Sequence, residues 1–102
     1  MGKIATILFL FFCSSLAHAA SDDGVISELF ASSNGAIAIK LKGGFPNSSD
    51  QCESFNGWAG NFDADPILKS ALLAAKATGD TVTLSIAGCE GDWIKVHAVY
   101  IK

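Results

Sequence analysis

Apolar residues recur at every second position in four stretches of this sequence, and the rhythm breaks once. That pattern predicts a small β structure carrying a single helix. Ala36 to Lys42 is the clearest stretch: Ile37, Ile39 and Leu41 fall on one side, Lys40 and Lys42 on the other. Gly24 to Phe30 alternates before it, with Val25, Ser27 and Leu29 on one face and Ile26, Glu28 and Phe30 on the other. Ser33-Asn34-Gly35 lies between the two, and Asn-Gly accepts the positive φ angles of a tight turn. The two stretches therefore read as a hairpin. Thr81 to Ala87 places Val82, Leu84 and Ile86 inward, and Cys89 ends that strand. After the turn Glu90-Gly91-Asp92, Trp93 to Ile101 carries apolar residues on both faces. One face holds Ile94, Val96, Ala98 and Tyr100; the other holds Trp93, Lys95, His97, Val99 and Ile101.

The break is a helix. Asp65 is a capping residue, and Pro66 follows at the first helical position, where a missing N–H costs nothing. Ile67 to Thr78 is rich in Ala and Leu, and Gly79 supplies a stop. Its apolar face reads as Ile67, Leu68, Ala71, Leu72, Ala74 and Ala75, with Lys69, Leu73 and Lys76 opposite. Leu73 between two lysines reads either as an ordinary exposed leucine or as a partner contact. Gly43 to Gln51 is a loop, and Asn61 to Asp65 a turn. Between them, Cys52 to Gly60 admits a short strand ending near Gly57. The order is then β-β-β-α-β-β, mostly β with one helix. That is the order of the OB-fold, a small Greek-key barrel whose surfaces bind oligosaccharides or oligonucleotides. A helix packed on an open sheet is the alternative.

The N-terminus has a different character. Lys3 precedes an apolar run from Ile4 to Phe12, too short to span a bilayer. Ala17-His18-Ala19 follows with the small-x-small pattern of a signal-peptidase site. Residues 1–19 read as a bacterial-looking signal peptide cleaved before Ala20, for a secreted or periplasmic protein. Lipidation at Cys13 is disfavoured because Phe12 precedes it; a retained membrane anchor is the remaining alternative. Removing 19 of the 102 residues leaves 83, one domain. A chain so small has marginal stability unless it is stapled or oligomeric. Cys13 leaves with the signal, so Cys52 and Cys89 form an even pair in an oxidising compartment and read as a structural disulfide.

Charge and motifs exclude several functions. All seven basic side chains are lysines, and the ten acidic residues lie beyond residue 19. An acidic chain without arginine is a poor partner for nucleic acid or an anionic membrane. His97 is the single histidine after residue 19, with no Gly-x-Ser-x-Gly elbow and no metal-ligand spacing around it. No cofactor or metal is expected, and the chain reads as a non-enzyme; a hydrolase using His97 is the weaker alternative. Asp63 and Asp65 suit turn and capping duty better than acid–base work.

Binding has more material. Asn47, Ser48, Ser49, Asp50, Asn56, Asn61 and Asp63 are short polar residues in or near loops. Phe45, Phe55, Trp58, Phe62 and Trp93 are aromatics beside them. Sugars need both: aromatic faces for C–H patches, and amides or carboxylates for hydroxyls. Trp58, between Gly57 and Ala59-Gly60, has small neighbours that give the indole clearance. The expected ligand contacts are Trp58, Asn56, Asn61, Asp63 and Trp93, although both tryptophans could equally be core residues.

Three segments carry a family resemblance: Cys52-Glu53-Ser54-Phe55-Asn56-Gly57-Trp58, then Ile67 through Gly79, then Asp80 through Cys89. Together they resemble the subtilase-cytotoxin B-subunit-like proteins of Gram-negative bacteria, near the pertussis-type binding subunits. The recurring element is a helix ending in Ala-x-x-x-Gly, a strand, and a Cys that pairs with an earlier one. The resemblance covers about residues 51–102. It implies an OB-fold, a homo-pentameric ring with helices lining its centre, glycans of a host cell or envelope as ligand, and a toxin A subunit as partner. Lys69, Leu73 and Lys76 would suit the ring contact. This chain is shorter than the toxin subunits, and the family's sugar-contacting serine has no assignable counterpart in it. The alternative function is a monomeric periplasmic interaction or inhibitor domain.

Overall fold

The computed structural model describes residues 19–102; the proposed signal segment lies outside the described residues, Ala19 excepted. Five strands are described: β1 (Ala20–Ala31), β2 (Ile37–Leu41), β3 (Ala59–Asn61), β4 (Thr81–Glu90) and β5 (Trp93–Ile101). One α-helix, α1 (Pro66–Thr78), follows β3, and a 3-10 turn spans Ser49–Gln51. The strands close in the order β1-β2-β3-β5-β4, with β4 returning to β1. Every pairing is antiparallel except β3 with β5. The protein is mostly β with one helix, an OB-fold-like barrel.

Closure depends on β1 serving two neighbours. Its first half, Ala20 to Val25, pairs with β4, and its second half, from Ile26, pairs with β2. The bend between them is a bulge: Ile26 faces Leu41 and Glu28 faces Lys40, so Ser27 is extra. One inserted residue reverses which side chains point inward. Ile26 is therefore buried, and Leu29 beyond the bulge packs on the core. Simple alternation had put those two residues on opposite faces. The same correction applies to β5. Ser85 pairs with Ala98 and Ile86 with Val96, leaving His97 unpaired. Ile94 and Val96 point inward, but past the bulge Val99 packs on the core while Ala98 and Tyr100, on the Ile94 face by alternation, are exposed.

The interior holds Ile37, Ile39, Leu41, Val82, Leu84, Ile86, Ile94 and Val96, all buried. At roughly 1.5–3 kcal/mol for each fully buried aliphatic side chain, this apolar set is the main driving force for the barrel. Helix α1 joins the core with Leu72 and Ala75 buried. Asp65 caps it by accepting from the Ile67 N–H at 2.9 Å, and Gly79 ends it at φ 75°. The predicted apolar face was too wide: Ile67 and Ala74 are exposed. The hairpin is as expected, with Asn34 Oδ1 accepting from Ala36 N at 3.2 Å.

Two features hold the long segment between β2 and β3. Cys52 and Cys89 are joined, so the disulfide ties the residue after the 3-10 turn to the end of β4. The strand expected between Cys52 and Gly57 instead occurs later, at Ala59–Asn61. Asp22, in the half of β1 that pairs with β4, is the second feature. It is buried, and its carboxylate accepts from the backbone N–H of Asn47 at 3.1 Å and from the Ser48 hydroxyl, itself buried. Asn47 Nδ2 donates in turn to Ser21 O at 3.0 Å. Replacing Asp22 with Ala leaves the Asn47 N–H and Ser48 hydroxyl without their acceptor. The expected cost is about 1–3 kcal/mol, read as a lower urea midpoint at unchanged slope. A midpoint equal to wild type would mean that water replaces the carboxylate.

Asp23 next to it is exposed and bound to Lys102 Nζ at 3.0 Å. That hydrogen bond, with one from Thr83, holds its carboxyl below the ordinary aspartate range. The contribution is present above the unfolded pKa and is lost as pH falls through the lowered one.

Candidate aromatic cleft

Four aromatic side chains meet on the outer surface of the barrel. Phe30 comes from the end of β1, Trp58 from the residue before β3, Phe62 from the residue after it, and Trp93 from the start of β5. Phe30 lies edge-on to both tryptophans, with ring centroids 6.4 Å from Trp58 and 6.1 Å from Trp93. Phe62 is 5.0 Å from Trp93, again edge-on. This edge-to-face geometry is the favoured one for aromatic pairs.

Backbone bonds place the four. Asn56 N donates to Asp92 O at 3.1 Å, and Ile94 N donates to Trp58 O at 3.2 Å. The segment carrying Trp58 is thereby stitched beside the one carrying Trp93. Ser54 Oγ donates to Asp92 Oδ1 at 2.6 Å. Phe62 N donates to Glu90 Oε1 at 2.7 Å, and Lys95 faces the same carboxylate at 3.4 Å.

A cleft of about 270 Å³ is lined by Phe30 near the end of β1, Ser32, Asn34 and Ala36 of the β1–β2 loop, Phe62 just after β3 and Trp93 at the start of β5. Its volume is just under the roughly 300–1,000 Å³ usual for drug-sized ligands, enough for one ring-sized group. Phe30 and Phe62 are each 45 % exposed, so both rings are accessible to a ligand. Asn34 and Ser32 at the lip add an amide and a hydroxyl.

The expected ligand residues divide. Trp93 lines the cleft. Trp58 stands behind Phe30, and Lys40 Nζ covers one of its faces at 4.8 Å from the ring centroid. Asn56 accepts from Trp58 N at 3.2 Å and so shapes its own loop. Asn61 is engaged twice, donating to Val96 O at 3.2 Å and accepting from Asp63 N at 3.0 Å. Asp63 is exposed near the Gly35 turn. Among the other loop aromatics, Phe45 is buried and meets Phe55 edge-on at 6.0 Å, inside the core rather than at the surface. Phe30, Ser32 and Asn34 were not anticipated. The available signal was an aromatic residue just before an Asn-Gly turn.

On α1, Lys69, Leu73 and Lys76 share one side, and Leu73 is 50 % exposed. His97 is exposed at its bulge, and its Nε2 lies 3.0 Å from the Ala87 carbonyl, a backbone partner rather than an acid or a nucleophile. Among the described residues no cluster of three His, Cys, Asp or Glu side chains could hold a metal ion, and no helix is long and apolar enough to cross a membrane. Comparisons with protein-family models, with characterised proteins and with solved structures give no significant match.

Proposed function

We propose that this chain is an exported, non-enzymatic binding module of the toxin B-subunit type that recognises glycans through the aromatic cleft. The observation that carries this reading is the exposed aromatic row ending in a ring-sized cleft with an amide and a hydroxyl at its lip. A sugar ring offers C–H faces to Phe30, Phe62 and Trp93 and hydroxyls to Asn34 and Ser32. The disulfide and the signal-like N-terminus support an oxidising destination. The lack of arginine argues against nucleic acid as the OB-fold ligand.

The test is a glycan array on the oxidised protein, followed by titration of the best ligand. Trp93→Ala weakens binding about tenfold or more, the loss expected of a central aromatic contact. Trp58→Ala weakens it less, because Trp58 acts through Phe30. A folded Trp93→Ala protein with full affinity would remove the cleft from consideration.

The resemblance also implies a ring of five copies, for which Lys69, Leu73 and Lys76 of α1 would suit the contact. Light scattering on the oxidised protein at micromolar concentration then gives about five subunits per particle, and Leu73→Glu gives monomers. A monomeric wild-type protein overturns the ring and favours a monomeric periplasmic interaction domain.

A further inference from the structure

Past Lys95, strand β5 has a strand neighbour on one side only. β3 meets Ile94 and Lys95 and ends at Asn61, whereas β4 runs beside β5 as far as Ile101. Alternate residues of 97–101 therefore turn N–H and C=O groups away from β4, and no described strand meets them. Where β3 stops, the first turns of α1 stand beside this edge. Between them lies a groove of about 250 Å³ lined by Ile67, Leu68, Ala71, His97, Ala98 and Val99. Ile67 in the groove is 78 % exposed, and Tyr100 on the edge itself is 67 % exposed.

Proteins usually guard such an edge with a charge, a proline or a bulge. The bulge at His97 twists only the start of this one, and Ala98-Val99-Tyr100-Ile101 carries neither charge nor proline. Lys102 could guard it, but its ammonium is drawn to Asp23 on β1, across β4 from the open edge. Uncovered main-chain donors and acceptors beside an apolar groove are complementary to one kind of partner. An extended polypeptide supplies main-chain groups at strand spacing and an apolar side chain at every second position.

We infer that residues 97–101 of β5, with the α1 groove, form a docking site for an extended segment of another protein, which adds to the barrel as a further strand. This site is separate from the aromatic cleft and does not depend on glycan recognition. Its probe is a synthetic decapeptide with the sequence of Thr81–Glu90 carrying serine in place of Cys89, since β4 already pairs with β5 on its other side. Titrated to millimolar concentration into the oxidised, isotope-labelled protein, it shifts the amides of 97–101 and of Ile67, not those of Phe30 or Trp93. Two N-methylated versions separate main-chain pairing from side-chain stickiness. Methylation at 82, 84 and 86 or at 83 and 85 blocks one set of main-chain donors each, and one version binds at least tenfold more weakly than the other. Tyr100→Lys places a charge on the edge, weakens the peptide at least tenfold and leaves the melting temperature and cleft binding unchanged. Equal binding of both methylated peptides, or no shift at 97–101, overturns the proposal. Self-association abolished by Tyr100→Lys without peptide binding also overturns it, making the occupant a second copy of this chain.

Discussion

Breaking the Cys52–Cys89 bridge, by reduction or by paired serine substitution, lowers the melting temperature by roughly 15–30 °C. The bridge joins residues 37 apart in sequence. Releasing a loop of about that length returns about 4 kcal/mol of conformational freedom to the unfolded chain by loop-closure entropy. For a domain of 60–100 residues each kcal/mol is worth about 4–8 °C, and total stability is only about 5–15 kcal/mol. The folded state loses something too. Cys52 is buried in the core, and the residues just after it lead into the Asn56–Trp58 segment. A reduced protein that still folds should therefore bind its ligand more weakly than its stability alone predicts. Calorimetry of oxidised and reduced protein checks the first statement, and titration below both melting points checks the second. A shift of only a few degrees would mean that Asp22 and the core hold the loop without the bridge.

The Gly60→Ala variant is expected to be as damaging, for an unrelated reason. A Cβ built on Gly60 would press on the Ile37 carbonyl oxygen and come within 2.8 Å of Ala38 Cα. Both obstacles are backbone of β2, which cannot rotate aside. β3 has only three residues, all paired with β2, and two of them also pair with β5. Forcing it outward breaks both ladders and opens the barrel where its pairing is shortest. The cost is about 3 kcal/mol or more, at or above the top of the usual range of roughly 1–3 kcal/mol for overpacking. Gly57→Ala is the informative companion. Gly57 has φ 98°, a conformation alanine resists, yet a Cβ there meets nothing closer than 3.8 Å. Its cost is about 1 kcal/mol. Equal losses in the two variants, measured by denaturant unfolding, would show that β2 can yield. Loss of amide protection at 37–39 in Gly60→Ala, and not in Gly57→Ala, locates the damage.

What could be read in advance follows the range of the forces involved. The hairpin at Asn34-Gly35, the helix between Asp65 and Gly79, and the inward set Val82, Leu84 and Ile86 are fixed by neighbours a few residues away. The Ser27 and His97 bulges are not, because an extra residue exists only relative to the strand opposite. They shifted Leu29, Ala98, Val99 and Tyr100 to faces that alternation alone could not give. β3 is similarly hidden, since three residues carry almost no periodicity and Gly60 sits there for the proximity of β2. In the cleft, Trp93 and the neighbouring Trp58 were legible as loop aromatics beside polar residues. Phe30 was not, because it looked like one more strand residue. Asn61 and Ser48 looked like ligand groups and are bound within the fold, which no local pattern reveals.

The division of β1 between two partners also governs the order in which the molecule can assemble. Ala20 finds Ile86 across from it, and Val25 finds Thr81. The first strand thus waits for a segment more than fifty residues further along the chain, and the ring has no closed form until that segment exists. Proteins dominated by such distant pairings fold in milliseconds to seconds. Until residues 81–86 have been made, the chain lacks the partner that closes its barrel, so its first strand can be present and still have half of its length unpaired.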